Sequence, residues 1–231
     1  MEEKETGRLE GFSDGVIAVA ITLLVLSLQA PPKILDDPAL LSWLGHQLPN
    51  YLAFVTSFAT IGVMWMNHHR MFSYIRHTDA TLMLLNLLLL LFIVFVPFPT
   101  DLVAQYLFSP NHRYAALLFN GTYVMLAICF NVLFRYAVRD NRLLGKHVNQ
   151  HEVEALRRQY RYGPLIYLLT FAVTWISVPV SLIMNLLLAI FFAIPARKRR
   201  SHSQPDASAS LDPEGITTPE QDTTSLIEEQ R

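Results

Sequence analysis

Residues 8–29 read RLEGFSDGVIAVAITLLVLSLQ. Arg8, Phe12, Ser13 and Asp14 form a polar and aromatic head, and Gly15 to Leu28 forms a nearly unbroken apolar rod. Such a segment is awkward in a soluble protein. A bilayer accommodates it, because a hydrocarbon core about 30 Å thick is crossed by about 20 apolar residues in a helix. The head then sits at one face or packs inside a bundle.

The rest of the chain agrees. Hydrophobic residues make up 52% of its 231 residues and charged residues 16%, against about 25% charged in soluble domains. The pattern predicts an all-α integral membrane protein surrounded by lipid. One cysteine, Cys129, excludes an intramolecular disulfide and argues against a Cys-based zinc site. The acidic N-terminus MEEKETGRLEGFSD lacks the basic region of a signal peptide, so the first apolar run is expected to be retained.

Six spans are expected, at about 11–30, 49–72, 80–107, 111–136, 161–178 and 180–196. Between the first two, LDDPALLSWLG predicts a short interfacial helix with Trp43 at headgroup level. Residues 137–161 read as a basic segment, polar throughout. The last two spans share the apolar stretch Gly163 to Pro195, which Ser177-Val178-Pro179 divides, since proline disrupts a helix interior. A single kinked helix there would leave five spans. With six spans and both termini cytoplasmic, only Lys33 and Arg113 of the 18 basic residues fall outside. The positive-inside rule therefore favours six. Residues 1–200 form the expected transmembrane domain. The Ser-, Pro- and acid-rich residues 201–231 form an expected disordered tail.

Enzyme chemistry has little support. The spans hold no glycine-rich phosphate loop, HExxH, nucleophile elbow or paired carboxylates, and no TVGYG filter. His68 and His69 are adjacent and point to different helix faces, with no carboxylate or cysteine at ligand spacing, so no metal is expected. In the head, Arg8 and Phe12 are four apart and share a face. Asp14 lies about 240° round from Arg8 and is expected to seek a partner on another helix. The plainer reading is that Ser13 or Asp14 caps the helix. In the rod, Val19, Thr22, Leu23 and Leu26 form one stripe at helical spacing. Gly11 and Gly15 form a GxxxG that permits close helix approach. Such a stripe is ordinarily packing surface.

The run Arg8-x-x-x-Phe12-Ser13-Asp14 at the head of an apolar first helix resembles the RxxxFSD signature of the transmembrane protein 175 family. This family comprises the lysosomal potassium channel of animals and its prokaryotic relatives. Trp65-Met66-Asn67-His68 resembles the family's WxxH, and Phe72, Asp79, Asn86 and Pro97-Phe98 follow as in similar sequences. The motifs cover about residues 7–100. One RxxxFSD occurs, so the chain resembles the single-repeat prokaryotic form.

The resemblance implies a homotetramer whose four first helices line a central pore. Its constriction layers would fall on Val19, Leu23 and Leu26, with Thr22 as a hydroxyl layer. Val19 departs from relatives that often carry Leu or Ile, and a smaller side chain widens that ring. Arg8, Phe12, Ser13 and Asp14 would join Trp65 and His68 in a hydrogen-bonded network fastening the pore helix. The implied function is passive, modestly selective potassium conduction, with potassium as permeant, no cofactor and no nucleic-acid partner. The expected location is a prokaryotic inner (plasma) membrane. A proton-coupled transporter or proton pathway using Asp14 and His68 is the alternative, with a non-conducting scaffold as a further rival.

Overall fold

The computed structural model describes residues 6–28, 30–31, 33–141, 143–145 and 150–193. The expected tail at 201–231 lies outside the described residues, as does the end of the last expected span beyond Ala193. The described chain is helical, with no strand; its one β-bridge pairs Ile75 with Leu144.

The first helix, α1 (Gly7–Leu23), tightens into a 3₁₀ turn at Leu24–Ser27. The helix expected between the first two spans forms as α2 (Asp37–His46), which starts where Asp36 accepts a hydrogen bond from the Ala39 N–H at 3.1 Å. Pro38 occupies its first turn, where its missing N–H costs nothing. The long α3 (Leu48–Tyr74) follows. Next, α4 (Ala80–Phe95) begins at Asp79, whose carboxylate accepts from the Leu82 N–H at 2.8 Å and from the Tyr136 hydroxyl at 2.6 Å. Pro97 and Pro99 then break the run, and α5 (Pro97–Tyr106) continues it. The remaining helices are α6 (His112–Ala137), α7 (Gln150–Arg161), α8 (Gly163–Val173) and α9 (Val178–Ala193).

Four described segments are long and apolar enough to cross a membrane: Gly7–Ser27, Leu48–Tyr74, Ala80–Tyr106 and His112–Ala137. The apolar helices α8 and α9 are shorter, at 11 and 16 residues. The break between them lies earlier than the proline suggested. The backbone turns at Thr174–Ile176, and Pro179 sits inside the first turn of α9, a position proline tolerates well.

Polar side chains stitch the bundle together. The Asn120 amide donates to Thr174 Oγ1 at 2.8 Å and Ser181 Oγ at 3.2 Å, and its oxygen accepts from Asn185. This ties α6 to both arms of the α8–α9 pair. Elsewhere Ser57 and Thr100 share a hydroxyl contact of 2.8 Å, and the Tyr123 hydroxyl donates to Ser57 at 3.1 Å. Interhelical bonds of this kind average about 0.6 kcal/mol in a membrane, with a ceiling near 2.

The basic segment at 137–161 is not polar throughout. Leu143 and Leu144 are buried against the α3–α4 connection. There the Leu143 carbonyl accepts from the Arg76 and His77 N–H groups at 2.9 and 3.3 Å, and the Gly145 N–H donates to Tyr74 O at 3.2 Å. The Thr6 hydroxyl reaches Ile75 O at 3.2 Å, so the base of α1 joins the same clasp. Asp140 turns the chain with φ of 56°, in the left-handed region that Asp tolerates better than most residues. Beyond it, Val153, Leu156 and Tyr160 bury one stripe of α7 against α6 and α8. These residues are too sparse to register in a hydropathy window, yet their spacing of three and four is helical.

Candidate functional site

The two faces of α1 are unlike. Ser13, Ile17, Ala20, Leu24 and Ser27 are buried and turned to the bundle, where α1 packs on α3 and α4. The stripe Val19, Thr22, Leu23, Leu26 lies on the other side. Val19 is 57% exposed, Leu23 38% and Leu26 70%, and Thr22 is exposed as well. The 3₁₀ turn advances about 120° per residue, so Leu26 stands directly over Leu23. A single subunit therefore leaves this apolar stripe bare. The Thr22 hydroxyl donates to Val19 O at 2.8 Å, which leaves its oxygen lone pairs facing outward as acceptors.

Two separate linkages hold the head of α1. The first runs along one face of α3. Trp65 Nε1 donates to Asp14 Oδ1 at 2.9 Å, and His69 Nδ1 lies 3.0 Å from Glu10 Oε1. Glu10 and Asp14 are one turn apart on α1, as are Trp65 and His69 on α3, so the antiparallel helices meet in two rungs. The Trp65 and His69 rings stack with centroids 6.2 Å apart, tying the rungs together.

The second linkage is fully buried. Ser13 Oγ donates to Leu9 O at 2.8 Å and accepts from Asn86 Nδ2 at 2.8 Å. Asn86 Oδ1 then faces His68 Nε2 at 2.9 Å. With the Asn86 oxygen facing it, His68 Nε2 acts as the donor, and Nδ1 is buried without a hydrogen-bond partner among the described residues. The His68 ring stacks on Phe72 at 4.3 Å. Protons in this chain point from His68 through Asn86 and Ser13 to a backbone carbonyl, which ends it.

The expected network is thus distributed differently within one subunit. Asp14 meets Trp65, and Ser13 meets His68 only through Asn86. Arg8 and Phe12 are exposed and make no hydrogen bond or ion pair among the described residues. Ser13 bonds backward to Leu9 and Asp14 outward to Trp65, so neither caps the helix. Gly11 and Gly15 have nothing within 4 Å of where a Cβ would stand, so the GxxxG makes no close approach inside the subunit. Sequence reasoning noted Asn86 without giving it a place in the network, and it passed over the Glu10–His69 rung. An amide inside LMLLNLLLLL was a signal, since polar groups at that depth need partners. The spacing of Glu10 and Asp14 was another. Among the described residues no three His, Cys, Asp or Glu side chains gather to hold a metal.

Comparison with known proteins bears on this site. Residues 8–97 match the family described as endosomal/lysosomal potassium channel TMEM175. The stretch contains every site residue named above. A potassium channel of Chamaesiphon minutus is 50% identical over 194 residues, covering 84% of this chain and 96% of that protein. A potassium channel of Streptomyces collinus is 39% identical over 207 residues, covering 86% and 99%. The crystal structure of a lysosomal potassium-selective channel TMEM175 homolog from Chamaesiphon minutus superposes with a TM-score of 0.75 at 48% identity, covering 83% of this chain and 97% of that one.

Proposed function

This chain belongs to the TMEM175 family, a membrane channel family rather than an enzyme family, and from that premise we propose that it is a potassium channel. The observation that carries the reading is the division of α1. One face is fastened to its own subunit by buried and half-buried polar bonds, while the opposite apolar stripe is left bare.

In the proposed assembly four subunits place that stripe around a common axis. Val19, Leu23 and Leu26 form apolar rings, where a dewetted neck resists ions and a wetted one conducts. Thr22 presents hydroxyl oxygens between them. Conduction is passive, and its preference for potassium over sodium is modest, because apolar rings discriminate through dehydration rather than a carbonyl filter. The proposed subunit crosses the membrane six times, with α8 and α9 as the short fifth and sixth crossings. The proposed orientation has both termini on the cytoplasmic side of a cell membrane, supported by the excess of basic residues in the segments that orientation puts inside.

Arg8 and Phe12, exposed and without a hydrogen bond or ion pair among the described residues, are proposed to complete the fastening across the subunit boundary. The alternative of proton coupling through Asp14 and His68 is less well supported. The two residues belong to different linkages, and the proton on His68 points into a chain that ends at Leu9 O. Purified protein reconstituted in liposomes tests the reading. The expected result is potassium efflux without a proton gradient, from a particle of about four subunits' mass. A monomer without flux contradicts it.

A further inference from the structure

We propose that the end of α7 is a docking site for the headgroup of an anionic phospholipid, held by Arg157, Arg158 and Arg161. The roll of α7 about its axis is fixed from the inside. Tyr160 meets Phe130 and Phe134 edge-on with centroids 4.9 Å away in each case, and its carbonyl accepts from Asn131 Nδ2 at 2.6 Å. At 100° per residue, this roll sets the three arginines within about 100° of arc on the outer side. All three are exposed.

Their surroundings select the partner. The chain leaves α7 through Tyr162, an aromatic residue 52% exposed, and Gly163 starts the apolar α8. Leu165 and Leu169 of α8 point outward, more than half exposed. A basic cluster, an aromatic at the boundary and an apolar helix with one exposed face thus follow one another. That order matches an anionic head above acyl chains. The positive charge is barely offset: Glu154 lies 4.0 Å from Arg157 Nη1, and Arg158 and Arg161 make no ion pair among the described residues. Arg158 and Arg161 also suit the negative end of the helix dipole, and basic residues favour the cytoplasmic side. Both of those effects need charge alone, and neither needs a headgroup in contact. The inference requires a membrane-embedded chain and does not depend on which ion passes.

Native mass spectrometry of the full-length protein, with palmitoyl-oleoyl phosphatidylglycerol or phosphatidylcholine added, tests it. Phosphatidylglycerol is expected to be retained preferentially. The R157Q/R158Q/R161Q variant should bind it about tenfold more weakly or worse, and R161Q alone about fivefold more weakly. A control of equal charge change, R76Q/R113Q/R139Q, should stay within about twofold of wild type if local contact rather than total charge holds the lipid. Equal retention of phosphatidylcholine, unchanged binding by the triple variant, or an equal loss in the control overturns the proposal. Should the triple variant misfold by gel filtration, R161Q, a single change at an exposed position, decides the matter.

Discussion

The indole of Trp65 on α3 donates to the carboxylate of Asp14 on α1 at 2.9 Å, one turn from the point where His69 meets Glu10. The bond sets the rotation of α1, and rotation decides which residues remain on its bare face. Trp65→Phe keeps an aromatic ring beside His69 and removes the donor together with one ring of the indole. Because the pair is partly exposed, we expect a loss of about 0.5–1 kcal/mol, read as a fall in melting temperature of about 1–4 °C. Thermal unfolding in detergent that shows no change for Trp65→Phe, with full loss for Trp65→Ala, would assign the stability to ring packing instead.

The buried chain from His68 through Asn86 to Ser13 should be more costly to break. Ser13→Ala leaves the Asn86 amide without its acceptor in a dry setting. A double-mutant cycle of Ser13→Ala with Asn86→Leu is expected to give a coupling of about 0.6–1.7 kcal/mol, the range for interhelical bonds in membranes. Additive effects of the two substitutions would show that the residues do not act together.

Neighbouring positions on α6 should behave oppositely. Asn120→Ala removes three contacts to α8 and α9 and leaves the Asn185 amide unpaired, at an expected cost of about 2 kcal/mol. Gly121→Ala adds a methyl 3.5 Å from Phe171, an ordinary contact, and should be close to neutral. Limited proteolysis of the α8–α9 pair, expected to accelerate in the first variant alone, checks both.

Thr22 should affect conduction without affecting folding. Among the described residues its hydroxyl bonds only to Val19 O within the same helix, and the side chain is exposed. Thr22→Val is therefore expected to leave the melting temperature unchanged and to lower the potassium-to-sodium flux ratio severalfold. Thr22→Ser should preserve the ratio. A ratio indifferent to Thr22→Val would remove the hydroxyl layer from the account.

Much of this architecture was legible in the chain. The apolar runs of α1, α3, α4 and α6 are long enough to declare themselves, and Asp36 and Asp79 mark helix starts through side-chain chemistry that sequence displays. The buried and bare faces of α1 also follow from helical period once Ser13 is known to face inward. Other features were hidden because they depend on pairing across the bundle. Nothing local reveals that Asn86 stands between Ser13 and His68, or that Leu143 seals the α3–α4 connection. Val153, Leu156 and Tyr160 were obscured by the arginines between them. The turn before α9 came early because Pro179 favours the first turn of a helix over the reversal itself.

The most direct test of the central claim is the effect of Leu23→Asn on ion flux through the reconstituted channel. Leu23 points away from its own bundle, so the substitution should leave thermal stability within about 0.5 kcal/mol of wild type. A polar ring should wet the neck, raising total cation flux and reducing the preference for potassium over sodium. Flux and ion preference unchanged by Leu23→Asn, in a protein that still conducts potassium, would contradict the claim that this face of α1 lines the pore.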